Sequence, residues 1–120
     1  MDNKQKLNDL FKRLRKQGVV ARQNFSCCGG CAASALHDEC IRLGKEFAVY
    51  YHRQDAAGLR EGDEHVYLGF GAVHPDASIR ELKTCQLGKL ILDCAREVGL
   101  EAEWDGSPRQ RVCINLPGGV

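Results

Sequence analysis

The sequence predicts an α+β fold: a ferredoxin-like βαββαβ core, preceded by an N-terminal helix and followed by one added β-strand that closes a hairpin. Three observations predict it. Apolar residues recur at helical spacing in three separate stretches. Between them lie short runs rich in β-branched and aromatic residues, the composition of strands. Gly, Pro and Asp-Gly punctuate the joints. The resulting order is helix, then strand–helix–strand–strand–helix–strand, then a last strand. The middle six elements have the split βαβ order.

Each element follows from its residues. Leu7, Leu10, Phe11 and Leu14 fall at i, i+3, i+4 and i+7, and Gly18 stops that helix. "VVARQNF" (Val19–Phe25) reads as a strand. Ala33, Leu36, Cys40 and Leu43 keep helical spacing up to Gly44. "EFAVYYHRQ" (Glu46–Gln54) reads as a strand, and "DAAGLREGD" as a loop or single helical turn. "EHVYLGFGAV" (Glu64–Val73) is a strand whose two glycines suggest a bend or a close backbone approach. Leu87, Leu90, Ile91, Cys94 and Val98 make the next helical stripe, with Ser78 and Thr84 as candidate caps and Gly99 as its end. "LEAEW" and "RVCINL" flank "DGSPR", whose Asp-Gly and Pro supply hairpin-turn chemistry.

At 120 residues the chain is read as one domain (1–120), with a basic amphipathic helix over 1–18 and an α+β core over 19–116. Its 43% apolar and 28% charged residues suit a globular protein. The opening "DNKQKLNDLFKRLRKQ" is too polar for a signal peptide, and no apolar run reaches the roughly 18 residues of a membrane span. The expectation is a cytoplasmic protein without a membrane partner. Net charge is +1, yet residues 1–22 hold seven Lys/Arg against two Asp. A helix so charged presents a solvated face, or touches an acidic protein partner. Nucleic acid is disfavoured: "LGFGAV" echoes the aromatic strand of RNA-recognition domains, but Leu68 stands where that motif needs a basic residue, and "VVARQNF" lacks an aromatic platform.

The chemistry-bearing stretch is "NFSCCGGCAAS", with Cys27, Cys28 and Cys31 within five residues. Seven cysteines, an odd count unevenly spaced, do not make a disulfide framework. Cys85, Cys94 and Cys113 sit among apolar residues and read as small core hydrophobes. Three readings of the cluster stay open. In the redox reading, Cys28 and Cys31 form a C-x-x-C at a helix start, where unpaired N–H groups favour a thiolate and the second thiol resolves a mixed disulfide. The order strand–CxxC–helix–strand is similar to thioredoxin-like proteins, but no proline precedes a strand that would face the pair. In the metal reading, Cys27, Cys28 and Cys31 are zinc ligands. His74 completes the set because the ferredoxin-like order makes the first and third strands parallel neighbours. Cys113, near the end of the last strand, could point to that same edge. In the structural reading, Ser26–Gly30 is a tight turn in which Gly29 or Gly30 adopts a backbone closed to other residues. His52-Arg53-Gln54-Asp55 reads as a polar strand end with Asp55 capping a turn, on the opposite edge from the cysteines.

The segments Phe25-Ser26-Cys27-Cys28-Gly29-Gly30-Cys31, His52-Arg53-Gln54-Asp55, Leu68–Ala72 and Gly99-Leu100 with Trp104-Asp105-Gly106 carry a resemblance. The chain resembles a family of small, mostly bacterial domains of unknown function. The resemblance implies domain identity and no activity, and the N-terminal helix lies outside the segments that carry it.

Overall fold

The computed structural model describes residues 2–25 and 29–120. Its elements are α1 (Asn3–Lys16), β1 (Val20–Arg22), α2 (Gly29–Leu43), β2 (Phe47–Tyr50), α3 (Arg53–Arg60), β3 (His65–Ala72), α4 (Ala77–Glu97), β4 (Glu101–Glu103) and β5 (Val112–Asn115). Helix α1 forms as its spacing requires. Asp2 accepts from the Gln5 N–H at 2.8 Å, and Gln5 Oε1 accepts from the Asp2 N–H at 3.1 Å, closing a capping box. Leu7, Leu10, Phe11 and Leu14 are all buried, while Lys12, Arg13, Arg15 and Lys16 stay exposed. Each buried side chain of this size contributes roughly 1.5–3 kcal/mol. Gly18, at φ +87°, turns the chain into β1.

The five strands lie in the order β1-β2-β3-β5-β4. β1 and β2 are parallel, with Val20 opposite Ala48 and Arg22 opposite Tyr50. Every other pair is antiparallel. The α+β class and the terminal β4–β5 hairpin stand. The strand order corrects the expected ferredoxin-like topology, because β2 lies between β1 and β3. Helix α2 carries the chain from β1 to the adjacent strand, so β1 takes a sheet edge rather than the centre. The stretch after β2, expected as a loop or a single helical turn, is a two-turn helix, α3, with Ala56 and Leu59 buried at i, i+3. Apolar periodicity selects helix or strand and says nothing of which strands pair.

Side-chain alternation splits the sheet into two faces. Ala21, Val49, Val66, Leu68, Val112 and Ile114 pack with α1, α3 and α4 in the main core. Val20 and Ala48 face the other way and pack under α2 with Leu36 and Cys40. An ion pair from Arg22 to Glu39 ties β1 to α2. Among the described residues no helix is long and apolar enough to cross a membrane.

Candidate functional site

The parallel pair β1–β2 brings the carboxyl ends of two strands side by side. Beyond the last paired residues, the Tyr51 N–H donates to the Arg22 carbonyl (3.3 Å) and the Phe25 N–H to the Tyr51 carbonyl (3.0 Å). Phe25 and Tyr51 thus lie at the carboxyl edge of adjacent parallel strands; in the sequence the cysteine segment follows the one and His52 the other. In α/β units ligands bind outside the carboxyl ends of such strands. This corrects the expectation that His52-Arg53-Gln54-Asp55 sits on the opposite edge.

Ser26, Cys27 and Cys28 lie outside the described residues. Helix α2 begins at Gly29, with Cys31 exposed in its first turn. Gly29 and Gly30 are therefore helical residues, and among the described residues of this joint the left-handed position is Asn24, at φ +51°. Asn tolerates that region better than other side chains.

Helix α3 follows β2 and packs in the main core, on the sheet face opposite α2. The Asp55 carboxylate accepts from the His52 N–H at 3.3 Å, capping the first turn, and stands 3.4 Å from His52 Nε2. The two side chains are only 11% and 19% exposed. His52 Nδ1 is buried and has no hydrogen-bond partner among the described residues. Asp55 thus orients the imidazole, whose second nitrogen is buried.

The remaining cysteines differ from Cys31. Cys40 and Cys94 are buried. Burial pushes the Cys40 thiol above its ordinary pKa, with Glu39 adding to the effect, and pushes Cys94 the same way, with Glu97 adding. Cys113 is half-buried and raised by burial and then by Glu103. Raised thiol pKa values make these poor nucleophiles at neutral pH. Cys85 is half-buried, with its Sγ 3.5 Å from the Gly106 carbonyl.

The neighbour relation that singled out His74 does not hold. β3 runs antiparallel to β2, so its end, and His74 after it, lie at the edge where β1 begins. His74 Nδ1 accepts from the Asp76 N–H at 3.0 Å and belongs to the turn leading into α4. Cys113, on β5, is separated from β1 by β2 and β3. Among the described residues no group of three or more His, Cys, Asp or Glu is placed to hold a metal ion.

Residues 1–117 match a family described as a domain of unknown function (DUF6891). The chain belongs to this family. No curated protein and no solved structure matches it. The DUF6891 match takes in α1, which the short motifs alone leave outside. Within the DUF6891 domain, the role of His52 was open to reading only once the strand order was known. The pattern His52-x-x-Asp55 signals a helix cap on its own; it signals a site beside the cysteines only when β2 neighbours β1.

Proposed function

We propose that this domain carries out thiol–disulfide exchange, with Cys28 and Cys31 as the exchanging pair and the His52–Asp55 pair as acid–base partner. The observation that supports the reading is the hydrogen bond from the Phe25 N–H to the Tyr51 carbonyl, which joins the residue just before the cysteine segment to the residue just before His52. Cys28 immediately precedes α2, whose unpaired N–H groups and positive end favour a thiolate. His52 is oriented by Asp55, and as an imidazolium it further stabilises that thiolate.

The step balances as follows. The Cys28 thiolate attacks one sulfur of a substrate disulfide. A Cys28–substrate bond forms, the substrate S–S bond breaks, and the leaving thiolate takes the proton from His52. His52 then takes the Cys31 proton, and the Cys31 thiolate attacks the Cys28 sulfur. The second substrate thiolate leaves and is protonated by His52. The substrate disulfide is reduced by two electrons and the Cys28–Cys31 pair is oxidised.

The same His52–Asp55 geometry supports a second reading. Imidazoles bound to zinc regularly give their other nitrogen to a carboxylate. In that case Cys27, Cys28 and Cys31 supply thiolates, and His52 takes the place that the sequence assigned to His74.

One experiment separates the two. Alkylation of each cysteine is followed by mass spectrometry from pH 6 to 9 in the reduced full chain, with and without a chelator. Exchange chemistry predicts fast, chelator-independent labelling at Cys28, and slower labelling in His52→Ala. Zinc predicts protection that the chelator removes. Uniformly slow labelling of Cys27, Cys28 and Cys31 under both conditions would falsify both readings.

A further inference from the structure

A cleft of about 550 Å³ opens between α1 and α3, at the sheet edge where Tyr51 ends β2's run and Asn24 follows β1. Its size falls in the range of small-molecule sites, roughly 300–1,000 Å³. Leu7, Ala56 and Leu59 give it an apolar lining, and all three are buried. Lys4 and Arg60 bring two cations to it, no acidic side chain is among the described residues that line it, and the exposed Val120 lies at its rim with its main-chain carboxyl group as the one counter-charge.

The polar part of the lining is oriented. Gln23 Nε2 donates to Asn8 Oδ1 at 2.9 Å and to the Tyr51 hydroxyl oxygen at 3.2 Å. Both oxygens are thereby engaged as acceptors. With one lone pair of each oxygen taken, Asn8 and Tyr51 still have the amide NH2 and the phenolic O–H to donate. Burial holds the Tyr51 phenol above its ordinary pKa; Gln23 opposes that shift and Asp55 adds to it. Tyr51 therefore stays neutral and keeps its proton to give. Asn24, held in the left-handed region, adds a second amide to the wall.

We infer that this cleft binds a small organic anion: a carboxylate carried on an apolar body, with Gln23 as the residue that positions its donors. Lys4, Arg60, Asn8 and Tyr51 are complementary to the carboxylate, and Leu7, Ala56 and Leu59 to the body. A neutral apolar ligand leaves the donors unused, and inorganic phosphate leaves the apolar lining unused. The inference is independent of the thiol reading, because none of the cleft's described lining residues is a cysteine.

The test is a titration of the isotopically labelled full chain with hexanoate, followed through the backbone amide shifts of Leu7, Asn24, Ala56 and Arg60. Hexan-1-ol and inorganic phosphate are the two comparison arms. Saturable shifts at these amides are expected with hexanoate, and binding about tenfold weaker in each comparison arm, the scale of one charge-assisted contact. Lys4→Ala with Arg60→Ala should weaken hexanoate about tenfold and leave hexanol unchanged. Gln23→Leu, which frees Asn8 and Tyr51 to turn, should weaken hexanoate a few-fold and leave hexanol unchanged. Preserved amide dispersion certifies folding, and Arg60→Gln replaces Arg60→Ala if that variant does not fold. Equal binding of hexanol, equal binding of phosphate, or no saturable shift with hexanoate overturns the inference. None of these outcomes depends on how fast any cysteine alkylates.

Discussion

Glycine positions show how one residue type serves opposite ends. Gly88 lies buried inside α4, where a Cβ would stand 2.5 Å from Trp104 Cη2. The indole cannot easily withdraw. Its Nε1–H donates to the Ser107 and Gln110 carbonyls at 2.9 and 3.1 Å, and its ring packs edge-on against Phe70 at 5.7 Å. Helix propensity favours Ala over Gly by about 1 kcal/mol. Overpacking against a fixed ring costs about 1–3 kcal/mol, so the clash wins. Gly88→Ala should lower stability by about 1 kcal/mol, measured by urea unfolding. Gly71 is the control: a Cβ there meets nothing within 4 Å. Gly71→Ala should be neutral or stabilise by about 0.5 kcal/mol, since Gly weakens a strand. The reverse ranking would contradict this account of Trp104. The sequence suggested a bend or a close approach for the two glycines of "LGFGAV". Gly69 fits the close approach, because the Tyr50 ring lies against it. Nothing in the sequence marks Gly71 as different, since the contact is made by a side chain from another strand.

At the scale of elements, α4 separates what pattern reveals from what it hides. The stripe Leu87, Ile91 and Cys94 is buried as its spacing predicts. The cap is neither candidate. Asp76 fills it, accepting from the Ile79 N–H at 3.1 Å. Thr84 sits inside the helix, buried, where its hydroxyl accepts from the Ala72 N–H (3.1 Å) and donates to the Arg80 carbonyl (2.8 Å). It fastens α4 to the end of β3. Thr84→Val keeps the shape and leaves a buried N–H unpaired, which should cost about 1–3 kcal/mol. Thr84→Ser should recover most of that loss. Asp76→Ala should cost about 1 kcal/mol, and Ser78→Ala close to nothing. Urea midpoints of the four variants check the order; a Ser78→Ala loss equal to that of Asp76→Ala would restore the sequence-level cap. Helices α1, α2 and α4 and all five strands were legible because burial imposes a period on their side chains. Helix α3 was not. Two turns give only Ala56 and Leu59 to carry a period, and Gly58 within them reads as a breaker.

For the whole molecule, the arrangement of the site depended on something no local pattern encodes: which strand lies beside β1. The cysteine segment and His52-x-x-Asp55 were both visible, and only the order β1-β2-β3 brings the strands that lead into them, ending at Phe25 and Tyr51, to one edge. A prediction belongs to this scale as well. Among the described residues the two cores bury three groups that lose a proton at high pH, namely Cys40, Cys94 and Tyr51. All three have folded pKa values above their ordinary ones, with burial the leading cause. The sign follows from proton binding. Above the unfolded value, about 8.5 for a thiol and 10 for a phenol, the unfolded chain has released protons that the folded chain still holds. The unfolded state then binds fewer protons, so stability falls as pH rises. The contribution of these groups is fully present near neutral pH. It declines from about pH 8.5 upward, by at most about 1.4 kcal/mol per pH unit for each group. Urea midpoints measured under reductant from pH 7.5 to 10.5 should be level at first and then fall. Cys40→Ala should lower stability at pH 7.5 by leaving a cavity, yet show a shallower alkaline decline, because one of the linked protons is gone. A decline equally steep in that variant would mean that Cys40 titrates alike in the folded and unfolded chain, and the small core under α2 would then be open to water.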